Sequence, residues 1–357
     1  MKLFLVSITL VILIISVFLF AYFRNNKSLN LVSTSTSVTP STEKYPSVNL
    51  DSIFTKGKHN ITTTQDQSIV ITATGDIIPA RSVNYQTVSR NNFIWPYQPT
   101  LQLFENSDIT FINLEAPFVQ NCPVTQEGMV FCSDTRNIEG LSYIKANIAN
   151  LANNHSTNYG QQGIESTINL LKSAGIQAVG ISGPQYIEVK GSKVAFLGYN
   201  DIGNSDLIAS ANESLVSKEV SQAKSEANLV IVAFHWGNEY TSQPTERQVK
   251  LAHLAVDSGA DLIIGNHPHW VQPAEIYHDK LIVYAHGNFI FDQMWSQKTK
   301  EGVIGRYTFY KNKLIDAQFT PILIKDYGQA TIPDTEASNQ ILKQMQEESR
   351  ILLNRTM

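Results

Sequence analysis

The chain has 357 residues, 43% hydrophobic and 16% charged, with a formal net charge of −4 at pH 7. That length and apolar content suffice for one large domain or two small ones with a buried core. The mildly acidic balance gives no basic face for nucleic acid, so no nucleic-acid partner is expected.

In chain order, the first element is residues 3–23 (LFLVSITLVILIISVFLFAYF), which carry no charge and are long enough to cross a bilayer as a helix. A cleaved signal peptide is the competing reading, but its apolar core usually runs about 7–15 residues and ends in a small-x-small site. Tyr22, Phe23 and Arg24 offer no such site, so an uncleaved anchor over residues 1–24 is the expectation. Lys2 on one side and Arg24 with Lys27 on the other leave its orientation undecided by charge. Residues 25–67 are rich in Ser, Thr and Pro and poor in periodic apolar positions, which predicts a flexible tether.

From residue 68 to about 330, short β-branched runs alternate with helical patterns. SIVITATGD, DITFINLE and IANLANN read as strands, and GIESTINLLKSAG as a helix with apolar positions three and four apart. KVAFLGYN, a helix around 218–227, LVIVAFHWG, the helical ERQVKLAHLAVDSGA, DLIIGNH and KLIVYAHGNF follow. Strands separated by helices of about 10–15 residues predict an α/β body with sheet buried between helix layers. Residues 308–324 alternate like antiparallel strands, and 338–353 read as an amphipathic helix within a C-terminal extension over 331–357. The only cysteines, Cys122 and Cys132, sit close together in a polar segment. An oxidising compartment would bridge them, and two reduced thiols are an equal alternative.

Polar residues gather where the apolar runs end: Asp76 in TATGD, Glu115 in FINLE, Asn154 and His155 in LANNH, His235 in VAFHWG, and His267 with His269 in GNHPH. In open α/β sheets the ligand crevice lies beyond the carboxyl ends of the strands, so these side chains can converge although far apart in sequence. Singly, each has a plainer reading. Asp76 would serve as a turn or cap residue, Glu115 as the partner of an arginine, Asn153 and Asn154 as a turn pair, and His235 as a hydrogen-bonded core histidine. The pair His267-x-His269 carries more, because residues i and i+2 of an extended segment face the same side, and Pro268 fixes the backbone between them. Two carboxylates, an amide oxygen and several imidazoles suit divalent Mn, Fe or Zn better than Ca or Mg. The set contains no thiolate, which speaks against a structural zinc cage. The chemistry implied is hydrolysis of a phosphoester at a site of two metal ions, with a spare histidine to protonate the leaving group.

The ordered motifs TATGDIIPAR, FINLEAPF, LANNHSTNYGQQGI, KVAFLGYN, VAFHWGNEY, GADLIIGNHPHWVQP and YAHGNFIFDQ closely resemble the CapA/PgsA bacterial capsule-synthesis proteins, which are associated with poly-γ-glutamate production. The resemblance covers residues 69–324. It implies a metallophosphoesterase-like αββα sandwich with mixed sheets over residues 68–330, preceded by the N-terminal transmembrane helix. It also implies roles: Asp76 as a ligand of the first ion, Glu115 as the bridging carboxylate, and Asn154, His235 and His267 on the second ion. His269 would return to the first ion, and His155 would be the leaving-group acid. Two departures stand out. The phosphoesterase pattern begins Asp-x-His, whereas Ile77 and Ile78 follow Asp76, so the first ion loses an imidazole or finds a substitute. Asn158 stands where many relatives are expected to have an aspartate, which removes a charged partner for His155.

Arg81 is a candidate clamp for a substrate phosphate or carboxylate, with a surface ion pair the equal alternative. Trp236 and Trp270 read as a substrate wall or as core, and His286, Asn288 and Asp292 as supporting or purely structural groups. Three functions are compatible with these residues. The first is an anchored, extracytoplasmic capsule-synthesis protein at the cell membrane, working with other capsule proteins on an anionic polymer. The second is an envelope metallophosphoesterase unrelated to capsule, and the third a non-catalytic assembly scaffold. So many buried imidazoles and carboxylates in one place would destabilise a pure scaffold, which favours metal binding.

Overall fold

The computed structural model describes residues 48–55 and 67–356. The expected membrane anchor lies outside the described residues, as does most of the tether, and among the described residues no helix is long and apolar enough to cross a membrane.

The chain builds one sheet, leaves it for a second, and returns. The first pass comprises β1 (Ser68–Ile77), α1 (Ser82–Arg90), β2 (Ile109–Leu114), α2 (Ile138–Tyr143), β3 (Ile148–Asn150), α3 (Gly160–Ser173) and β4 (Gln177–Val179). The second sheet follows with β5 (Gln185–Val189), β6 (Ser192–Asn200), α4 (Glu213–Glu226), β7 (Leu229–His235), α5 (Glu246–Asp257), β8 (Leu262–Asn266), β9 (Ala274–Tyr277) and β10 (Lys280–Val283). Then β11 (Asn288–Ile290), β12 (Glu301–Tyr310), β13 (Lys313–Lys325) and β14 (Gln329–Thr331) complete the first sheet, and α6 (Thr335–Thr356) ends the described chain.

Both sheets are mixed. In the first, of order β14-β13-β12-β1-β2-β3-β4 with β11 paired to β1, the strands β1 to β4 run parallel and β12 to β14 antiparallel. In the second, of order β5-β6-β7-β8-β10-β9, the central strands are parallel and the two edges antiparallel. The parallel strands are apolar on both faces, as sheets covered on both sides require. In β7, Leu229, Ile231 and Ala233 join the cluster between the sheets, whereas Val230, Val232 and Phe234 face the helices α4 and α5. β2 repeats the rule: Ile109 and Phe111 point between the sheets, and Ile112 and Leu114 pack against Leu141 and Leu171 of α2 and α3. Across the middle, Phe111 stacks on Phe196 with ring centroids 6.0 Å apart. The result is helix, sheet, sheet, helix.

Local signals set several boundaries. The Thr245 and Gln248 side chains form a reciprocal capping box at the start of α5, and Asn212 accepts from the backbone of Ser214 and Leu215 at the start of α4. The terminal helix α6 sends Ile341 and Met345 into the cluster between the sheets, and its Ser349 Oγ accepts from Ala274 N at 2.9 Å.

Candidate metal centre

The parallel strands of both sheets end on one side, and the polar residues that follow them meet there. β1 delivers Asp76 beside Asn113 of β2, its register partner. This needs a close approach of β11: a Cβ on Gly75 would lie 2.1 Å from Gly287 O, and Asp76 N donates to that same oxygen at 2.9 Å. Glu115 follows β2 directly, its N–H bonded to Ile77 O at 2.9 Å. Asn153 is the turn residue after β3. Its Nδ2 donates to Leu114 O at 2.8 Å and its Oδ1 accepts from Ser156 N and Oγ, which presents Asn154 and His155. His235 closes β7, and His267 and His269 follow β8.

The expectation of an extended His267-x-His269 segment is corrected. Both residues have left-handed backbone, φ 99° and 56°, so the chain bends sharply around Pro268 instead of continuing β8. The bend still brings the two rings within 5.8 Å, at a cost of roughly 1–3 kcal/mol per strained residue.

Asp76 Oδ1 accepts from Asn113 Nδ2 at 2.8 Å, and His269 Nδ1 lies 3.1 Å from Asp76 Oδ2 and 3.0 Å from Asn288 Oδ1. His235 Nε2 is 2.8 Å from Asn154 Oδ1, 3.1 Å from His267 Nδ1 and 3.4 Å from Glu115 Oε1. Both oxygens of Glu115 are buried without a hydrogen-bond partner. A fully buried carboxylate with nothing to accept from costs several kcal/mol. Donor atoms of Asp76, Glu115 and His269 lie within 4.8 Å of one another, as do those of Glu115, His235 and His267, so the two sets share Glu115. Asn154 adds an amide oxygen to the second set. This oxygen and nitrogen donor set, with an orphaned carboxylate at its centre, fits divalent ions of the Mn, Fe and Zn kind. Both cysteines are bound to each other.

The protonation states reflect the crowding. Burial works to raise the pKa of Asp76, but the hydrogen bond and charge of His269, with His235 and Asn113, bring it below the ordinary carboxylate range. Burial opposes protonation of His269, yet the charges of Glu115 and Asp76 outweigh it and raise its pKa to about 9. His267 is held well below its ordinary value by burial and by the neighbouring imidazoles. Ions entering the site would displace the proton on His269.

His155 lies beside the cluster, stacked on Phe131 at 3.9 Å, with Nδ1 3.0 Å from Asn158 Oδ1. The amide of Asn158 thus keeps the contact that an aspartate would make, without the charge. Burial lowers the pKa of His155 against the pull of Glu115. Both side chains of the stacked pair border a cleft of about 420 Å³ whose lining includes Arg81, Glu239, Tyr240, His269 and Trp295. Arg81 pairs with Asp292, and its guanidinium lies between Phe131 and Phe291, 4.9 and 4.8 Å from the ring centroids. Cys122 and Cys132 are bridged, with Cα atoms 5.8 Å apart, and close the loop that carries Met129 to the same cleft.

Trp236 is core, stacked on Phe234 at 4.4 Å with its N–H donated to Tyr284 O. Trp270 packs under Lys298, and Tyr240 and Trp295, centroids 4.8 Å apart, join Phe131 and Phe291 in the aromatic lining of the cleft. His286 is structural, its Nδ1 on Gly265 O at 3.1 Å and its Nε2 on Tyr307 Oη at 2.7 Å. Two residues escaped the sequence reading. Asn113, polar in the middle of FINLE, carried a signal as a break in an apolar strand. Glu239, four positions past His235, joins His267 and His269 in a third donor cluster.

Known proteins resemble this chain over much of its length. Capsule biosynthesis protein CapA of Bacillus anthracis is 29% identical over 308 residues, 80% of this chain and 74% of that protein. PGA biosynthesis protein CapA of Bacillus subtilis (strain 168) is 28% identical over 309 residues, 81% of this chain and 80% of that one. A probable polyglutamine synthesis accessory protein of Mycobacterium tuberculosis is 26% identical over 267 residues, 66% and 68% of the two chains. A solved structure from Thermus thermophilus is similar at 11% identity with a TM-score of 0.39, over 69% of this chain and 99% of that one, a likeness too loose to bear on the site. Residues 70–293, more than half of the chain, match the model of the bacterial capsule synthesis protein PGA_cap, and the chain belongs to that family.

Proposed function

We propose that this chain is a membrane-tethered accessory protein of capsule synthesis, of the poly-γ-glutamate kind, whose body works outside the cytoplasmic membrane and holds two divalent ions in a hydrolase-type site. The observation that carries the metal reading is Glu115, buried with two unpartnered oxygens and shared between two sets of nitrogen and oxygen donors. The names of the Bacillus relatives, which concern capsule and PGA biosynthesis, support the process. The apolar run at residues 3–23 supports the tether, and the Cys122–Cys132 bridge supports an oxidising compartment.

Bound there, two ions would supply Lewis-acid activation of an ester and of water. Asp76, Glu115 and His269 would hold one, and Glu115, Asn154, His235 and His267 the other. His155, its Nδ1 fixed by Asn158, is the group placed to move a proton at the leaving atom. Metal analysis of the full-length protein, extracted in detergent, tests the site: about two equivalents of Mn, Fe or Zn are expected, with loss in Glu115→Gln. Polymer yield in cells carrying that substitution tests the process. A metal-free wild type and an unchanged polymer yield would sink both parts.

An envelope phosphoesterase unrelated to capsule is the second reading. What favours it is the cleft, where the cationic Arg81 is already paired with Asp292, leaving little to grip a long polyanion. Phosphodiester turnover by the wild type that Glu115→Gln abolishes, with normal polymer yield in cells carrying that substitution, would decide for it.

A further inference from the structure

We infer that Glu239 is a further ligand of the ion site, reaching it from the solvent side between His269 of the first donor set and His267 of the second. This rests on the two-ion reading above. Asp76, Glu115 and His269 are each at most 3% exposed, and Glu115 is shared with the second donor set. That leaves the first ion a thin protein shell, since protein-bound zinc takes four ligands and manganese suits octahedral oxygen-rich sites. The residues after Asp76 cannot thicken it. Ile77 and Ile78 are fully buried, Ile77 in the cluster under the helices and Ile78 among Ala80, Ala116, Phe131 and Phe291.

Glu239 reaches the site from the opposite direction. Its carboxylate oxygen and the donor nitrogens of His267 and His269 all lie within 4.8 Å of one another, close to the roughly 4 Å between two ligands facing each other across an ion at about 2.0–2.2 Å. The loop that carries it is pinned to the histidine bend. Gly237, at φ 85°, turns the chain after β7. Tyr240 N donates to Pro268 O at 2.9 Å, and Gln293 Nε2 holds the Tyr240 hydroxyl at 2.8 Å. Glu239 itself is exposed and lines the cleft, so it approaches where the buried ligands do not.

The experiment is equilibrium dialysis of the full chain against manganese(II), with Glu239→Gln and Glu115→Gln beside the wild type and bound metal read by elemental analysis. The wild type should take two equivalents. Glu239→Gln should keep one site unchanged and weaken the other at least about tenfold, the lower end of what even an outer partner of a metal ligand costs, while Glu115→Gln should weaken both. Because Glu239 is exposed, its variant should melt in chelator with the wild type, which removes misfolding as an explanation. Two unchanged sites in Glu239→Gln would overturn the inference and leave the two-ion reading standing. A small and equal loosening of both sites would also overturn it, since that is the signature of a lost nearby charge. A wild type that takes no second ion would overturn the two-ion reading and this inference with it.

Discussion

Glu115→Gln should make the metal-free protein more stable and the metal-loaded protein less stable than the wild type. Without metal, both Glu115 oxygens are fully buried and unpartnered, and the nearest base is His235 Nε2 at 3.4 Å. An unsatisfied buried polar atom costs about 1–3 kcal/mol, more when charged, and the amide keeps the volume while removing the charge. The gain is limited because Glu115 also helps hold the proton on His269, and the amide's own atoms still need partners, so about 1–3 kcal/mol is expected. An unfolding entropy of about 2.1 cal/mol/K per residue, summed over residues 67–356, is about 0.6 kcal/mol per kelvin. The variant should therefore melt about 2–5 °C higher in chelator. At manganese a hundredfold above its dissociation constant, each site would stabilise the wild type by about 2.7 kcal/mol, or about 4 °C, which the variant forgoes. Calorimetry with and without manganese reads both effects, and the order of the two proteins should invert. A variant that melts lower in chelator, or gains from manganese as fully as the wild type, refutes the reasoning.

His155→Ala should lower turnover of a phosphodiester by about 10²–10⁴ while leaving manganese uptake intact, as kinetics and dialysis on one preparation would show. His286 is pushed down to about 4, chiefly by burial and against its hydrogen bond to Gly265 O. Its neutral form is therefore the folded one, and its contribution is complete above about pH 6.5 and lost as pH falls through 4. That displacement corresponds to about 3 kcal/mol, so urea unfolding in chelator at about pH 7 and about pH 4 should show a drop of that order that His286→Gln lacks. Phe111→Ala removes the ring stacked on Phe196 between the sheets and should cost about 3–5 kcal/mol by urea unfolding.

The central strands were legible because a strand buried on both faces must be apolar throughout, as LVIVAFH is in β7. The helix α1 was not, since SVNYQTVSR has no apolar period. It is held instead by long-range contacts, with Asp292 accepting from Ser82 N and Asn91 closing it in left-handed backbone. Short strands such as β4 and β14, three residues each, take their form from a neighbour's open edge and leave no pattern of their own. The strand-end residues could be collected in advance because parallel connections bring carboxyl ends to one side. Glu239 could not, because it sits on a loop whose path depends on the Tyr240 to Pro268 hydrogen bond. The state of Cys122 and Cys132 was open for a similar reason: a separation of 10 residues allows a bridge, and only the folded loop brings the pair within reach.

The distribution of cost across the molecule argues for a bound ligand independently of any relative. Between the sheets the packing is apolar and the Phe111 and Phe196 rings stack. At the carboxyl end, Arg81, His267 and His269 hold positive φ, Glu115 lacks any hydrogen-bond donor, and three buried imidazoles crowd two buried carboxylates. Each of these features is unfavourable alone, by roughly 1–3 kcal/mol for a strained residue and several for a lone buried charge. None is required by the apolar packing of the strands, whose hydrophobic residues are buried in the clusters on the two faces of the sheets. A divalent ion reverses the sign of the electrostatic terms together: carboxylates gain a cation, and imidazoles gain a partner for their lone pairs. Breaks in local preference that share one remedy mark a functional site more strongly than any single residue does, and here the shared remedy is positive charge placed between Asp76, Glu115 and the three histidines.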